Sequence, residues 1–70
     1  MSEKFYYVKQ LDEYTGEYSI CLGRFSSKTL AISECEIWRR DYPEEEIGVF
    51  QVTENTNNQF VVDDDERQVY

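Results

Sequence analysis

Along "KFYYVKQL", residues 4–11, aromatic and β-branched side chains run without a breaker. After the polar "DEYTGE", Tyr18, Ile20 and Leu22 alternate with Ser19, Cys21 and Gly23. A breaker-free β-prone run before the turn and a period-two run after it predict an antiparallel hairpin, with Gly16 available for a positive φ. The period then changes. In "SSKTLAISECEIWRRDYP", Ser26 or Ser27 can cap a helix that Tyr42-Pro43 ends, and Ala31, Cys35, Trp38 and Tyr42 recur at helical spacing. That stripe, flanked by Leu30 and Ile37, is expected to lie on the sheet and form the core. Beyond the acidic turn "PEEE", the run "IGVFQVT" alternates again as a third strand. "ENTNNQ" reads as a turn, and "FVV" at 60–62 as a short fourth strand. The pattern predicts an α+β fold, ββαββ, in which one helix packs on one face of an antiparallel sheet.

Seventy residues leave room for a single domain, 1–70, with a modest core. Residues 63–70 read as an acidic tail free to be flexible. An apolar fraction of 40% with eleven aromatic residues is too rich for a disordered chain, even at a net charge of −8. Cys21 and Cys35 have no metal-ligand spacing and no histidine beside them, so both are expected as reduced thiols packed like small hydrophobes. The start "MSEKFYYV" lacks a basic segment followed by an apolar one, and no long apolar run occurs, so the expected location is cytoplasmic, with no membrane partner.

Charge changes the picture more than composition does. Residues 1–40 carry six acids and six bases, whereas residues 41–70 carry nine acids and only Arg67. All the net charge therefore falls in the second half of the sequence. Without histidine, neither Ser-His-Asp nor Cys-His activation can be assembled, and the expectation is a protein that is not an enzyme and takes no cofactor. "DDDERQVY" is too short for a calcium loop of the EF-hand kind, and three scattered glycines make no phosphate cradle. Direct nucleic-acid binding is disfavoured because −8 repels the phosphate backbone.

What remains is the acidic surface itself. Solvation is the ordinary use of such residues. A functional reading takes the candidate partner-binding set as Glu44, Glu45, Glu46, Glu54, Asp63, Asp64, Asp65, Glu66 and Tyr70. An extended strand advances about 3.3 Å per residue, close to the 3.4 Å rise per phosphate of one DNA strand. "DDDE" could therefore offer a basic groove charge at nucleic-acid-like density, with tyrosine as amphipathic contact area.

The stretch "TLAISECEIWRRDYPEEEIGVFQV" resembles the helix-to-strand segment of small phage-encoded inhibitors of bacterial RNA polymerase, through Thr29-Leu30, Trp38, Tyr42-Pro43, Val49 and Val52. The resemblance implies a stoichiometric inhibitor acting in a bacterial host. Gln51, Thr53 and Glu54 stand where that family's contact strand is basic, so its target does not carry over. Acidic anti-restriction and anti-CRISPR proteins are similar in size and charge alone. The leading expectation is an inhibitor that occupies a nucleic-acid site of a host defence enzyme, with host RNA polymerase as an alternative target. A second alternative is an adaptor, with homodimerisation left open, that pairs through its sheet edge or through an aromatic face at Tyr6, Phe50 or Phe60.

Overall fold

The computed structural model describes residues 2–55 and 66–70. Strand β1 (Ser2–Asp12) turns through residues 13–16 into β2 (Glu17–Phe25); helix α1 (Lys28–Asp41) follows, then β3 (Ile47–Asn55) and a two-residue β4 (Arg67–Gln68). The α+β architecture is the expected one, a four-stranded antiparallel sheet with one helix. The strands lie in the order β2-β1-β3-β4, so β1 is interior and α1 carries the chain across it from β2 to β3. The expected fourth strand at 60–62 lies outside the described residues, and the pairing that closes the sheet is Phe50 with Gln68 and Gln51 with Arg67.

Local chemistry explains these boundaries. At the hairpin, the Asp12 carboxylate accepts from the Tyr14 amide at 2.9 Å and the Gly16 amide donates to the Asp12 carbonyl at 2.8 Å. Gly16 takes φ +73°, a conformation that a Cβ would penalise. Ser27 caps α1 by accepting from the Leu30 amide at 3.4 Å. The Tyr42 amide, just past the last turn, donates to the Trp38 carbonyl at 2.8 Å, and Pro43 cannot continue the helix.

Alternation along β1 gives the sheet two different faces. Tyr6 and Val8 point toward α1, where Val8, Ala31, Cys35, Ile47 and Val49 form the buried core, and Leu22, Phe25, Ile32, Trp38 and Val69 pack around it. On the other face the Arg24 guanidinium lies 3.7 Å from the Phe5 ring centre and Lys9 sits over Tyr7 and Phe50. A register shift in β2 between the partners of Val8 and Lys9 makes Leu22 the extra residue of a bulge, which lets Leu22 reach the core side.

Three expectations about the helix face and thiols change here. Leu30 and Ile37 are 59% and 43% exposed, because they lie well round the helix from Ala31 and Cys35. Tyr42 is half exposed, and it covers Trp38 by stacking at 5.5 Å rather than entering the core. Cys35 is buried but Cys21 is exposed, since the sheet alternation turns it away from the helix side. A thiol–disulfide exchange reagent should therefore modify one equivalent per folded chain at once, at Cys21, and reach Cys35 only on unfolding. Rapid modification of both thiols in the native protein would contradict the packing.

Burial pushes the Cys35 thiol up, a shift that Arg39 partly offsets and Glu36 adds to. A raised folded-state value means that its contribution to stability is complete below the unfolded-state range and is lost as pH rises. Stability should accordingly fall above about pH 8.5, with a slope from this group of at most about 1.4 kcal/mol per pH unit. Cys35→Ala should flatten that part of the alkaline profile.

Candidate functional site

The acids are not arranged in space as they are in sequence. The hairpin between β1 and β2 and the connection between α1 and β3 lie at the same end of the sheet. There the Leu11 amide donates to the Glu46 carbonyl at 2.8 Å and the Gln10 side-chain amide donates to the Glu45 carboxylate at 3.1 Å. Asp12 faces Glu17 across the hairpin, and Asp12, Glu13, Tyr14 and Glu45 line one shallow depression of about 180 Å³. Glu45 and Glu46 continue into a neighbouring depression of about 400 Å³ with Pro43 and Arg39.

Six carboxylates, Asp12, Glu13, Glu17, Glu44, Glu45 and Glu46, are thus gathered at one end from two separate segments. Lys4, Arg24 and Lys28 stand toward the opposite end, because Tyr6 pairs with Phe25 and Lys4 with Thr53. Among the described residues one end is thus predominantly acidic, while the opposite end mixes Lys4, Arg24 and Lys28 with Glu3 and Glu54. Among the described residues no group of His, Cys, Asp or Glu is placed to hold a metal ion together. The six acids form an extended field over a surface.

Aromatic area is interleaved with this field. Tyr14 at the hairpin tip is 100% exposed, and Tyr42 presents half of its ring beside Glu44. Tyr18 packs against Phe50 at 4.9 Å and, with Glu17, Ser19 and Glu66, borders a third depression of about 450 Å³ on the face away from the helix.

The candidate set from the sequence divides accordingly. Glu44 and Glu46 are exposed at the pole, and Glu45 is partly buried and bonded to Gln10. Glu54 lies far from them, opposite Glu3 near the other end of β3. Asp63, Asp64 and Asp65 lie outside the described residues. Glu66 pairs with Lys9 across the open sheet face. Tyr70 sits on the helix side, where Arg39 donates to its carbonyl at 3.0 Å and lies over its ring at 4.6 Å.

Compared with protein families, curated proteins and solved structures, the chain matches none. The reading therefore rests on the residues themselves. Asp12, Glu13, Glu17 and Tyr14 were absent from the sequence-derived set because bases at 4, 9, 24 and 28 cancel those acids when charge is summed along the chain. The hairpin signal at Gly16, taken together with the helix stop at Pro43, was the available clue that the two acidic turns share an end.

No helix among the described residues is long and apolar enough to cross a membrane.

Proposed function

We propose that this chain is a non-enzymatic binding protein whose acidic pole occupies a basic, nucleic-acid-binding groove of another protein, in the manner of an inhibitor directed at a host defence or transcription enzyme. One observation carries the reading: the fold collects carboxylates from both turns at one end, while Lys4, Arg24 and Lys28 stand toward the other. A predominantly negative field of this kind attracts an oppositely charged cleft and raises association rates by about 10- to 1,000-fold at low salt. Exposed Tyr14 and Tyr42 add rigid amphipathic area of the kind that interfaces favour.

The test is capture of partners from a nuclease-treated bacterial lysate, followed by competition with duplex DNA and with RNA. A retained protein should be displaced by one of these polyanions and washed off by salt, because the screening length falls to about 3 Å at 1 M. The triple substitution Glu13→Gln/Glu44→Gln/Glu46→Gln removes exposed charge without touching the Gln10–Glu45 bond. It should slow association about tenfold at low salt. A partner held equally well by the triple variant, or indifferent to both nucleic acids, would refute the proposal.

A further inference from the structure

Apolar side chains meet carboxylates in the shallow depression between the β1–β2 hairpin and the connection from α1 to β3. Leu11, which is part-buried, and Ile20, which is 39% exposed, supply aliphatic surface, and the wholly exposed Tyr14 adds a ring at the rim. Asp12, Glu13 and Glu45 supply three carboxylates, and among the described residues no base lines the depression.

Both walls are held in place. Ile20 stands opposite Gln10, and the Gln10 side-chain amide donates to Glu45 Oε2 at 3.1 Å. The Leu11 amide donates to the Glu46 carbonyl, and the Tyr14 amide donates to Asp12 Oδ1. These contacts take one oxygen of Asp12 and one of Glu45, and a carboxylate has two. Glu13 is exposed.

Size and chemistry together select the occupant. At about 180 Å³ the depression is smaller than the roughly 300–1,000 Å³ of a small-molecule pocket, and it suits one long side chain. A basic side chain has an aliphatic stem to lie on Leu11 and Ile20 while its charge meets the acids. A planar guanidinium adds what an ammonium lacks, paired hydrogen bonds to a carboxylate and stacking on an exposed ring. We propose that this depression seats one arginine side chain of a partner protein, its guanidinium among Asp12, Glu13 and Glu45 and against the Tyr14 ring. The source of that arginine rests on the functional reading, a basic nucleic-acid groove; the depression itself does not.

Acetyl-arginine amide, with no partner present, is the first probe. At low salt it should shift the amide NMR signals of Leu11, Tyr14 and Ile20, saturating in the millimolar range that a ligand of this size allows. Acetyl-lysine amide should bind more weakly. Tyr14→Ala removes a wholly exposed side chain, so the fold should stay, as circular dichroism checks, while the arginine shifts fall away. Tyr14→Phe keeps a ring and should restore them. Glu13→Gln should weaken the probe, whereas Glu3→Gln, the same charge change at the far end of β1, should not. Shifts that spread without saturation to Glu44 and Glu46, that survive Tyr14→Ala, or that acetyl-lysine amide matches would each overturn the proposal.

A captured partner adds a second readout. Tyr14→Ala should speed its dissociation about 2- to 30-fold, the worth of one cation–π contact. Association should be unchanged because the ring carries no charge, in contrast to the triple glutamine variant. A partner displaced by nucleic acid whose dissociation is indifferent to Tyr14→Ala overturns the arginine site alone. A partner indifferent to nucleic acid but released faster by Tyr14→Ala upholds the site and refutes the nucleic-acid groove.

Discussion

Val8→Asp should abolish the fold. Val8 is fully buried in the interior strand, opposite Val49 on one side and Gly23 on the other, beneath Ala31 and Cys35. A domain of this length has a total stability of roughly 4–10 kcal/mol. An unpaired carboxylate buried at this point costs several kcal/mol even after relaxation, and the lost valine packing adds about 1.5–3 kcal/mol. The sum is comparable to the whole stability. Circular dichroism should show no cooperative thermal transition for Val8→Asp. Val8→Ala, which loses only packing, should remain folded with a melting temperature lowered by about 4–8 °C for each kcal/mol lost. An aspartate variant that melts within a few degrees of the unsubstituted protein would mean that Val8 is not at the centre of the core.

The contrast between that core and the charged pole bears on how much a sequence of this kind discloses. The helix stripe at Ala31 and Cys35, and the strands that carry Val8 and Val49, were legible because helical period and strand-forming runs are local signals, each set by one element. The hairpin turn was legible for the same reason, since Gly16 marks a positive φ whatever the rest of the chain does. β4 was not. Arg67 and Gln68 have no alternation and no β-branched side chain, and their position depends on Val69 entering a core built by distant residues. Leu30 and Ile37 were misplaced because hydrophobicity alone marks a residue as apolar without saying which flank the sheet covers. The candidate site was half legible. Glu44–Glu46 stand out as a run, but the contribution of Asp12, Glu13 and Glu17 exists only once the hairpin separates them from Lys4 and Arg24. Charge counted along a chain and charge arranged by a sheet are different quantities, and only the second acts on a partner.

Arg39→Ala should detach the C-terminal segment from the sheet while leaving the three longer strands in place. The guanidinium donates to two carbonyls that belong to different parts of the chain, Ile47 at 2.8 Å and Tyr70 at 3.0 Å, and it lies over the Tyr70 ring. β4 itself has only two residues, so its own ladder is too short to hold the segment firmly against β3. Hydrogen bonds from a charged donor contribute about 1.5–3 kcal/mol each in partly buried settings. Removing Arg39 should therefore raise the local opening of residues 66–70 about 10- to 100-fold, read as faster exchange of the Val69 and Tyr70 amides. Amides of β1 should change far less. Arg39→Lys should recover little of the protection, because a single ammonium on a flexible stem cannot reproduce the planar fork that spans both carbonyls. The other tie, between Lys9 and Glu66 on the opposite face, is a single part-exposed ion pair against the two charged hydrogen bonds and ring contact of Arg39, and pairs of this kind contribute about 1 kcal/mol or less. Lys9→Met should consequently leave Val69 protected. If Val69 exchange is unchanged in Arg39→Ala and rises instead in Lys9→Met, then the segment is held from the open face of the sheet, and the helix-side clamp carries no part of its stability.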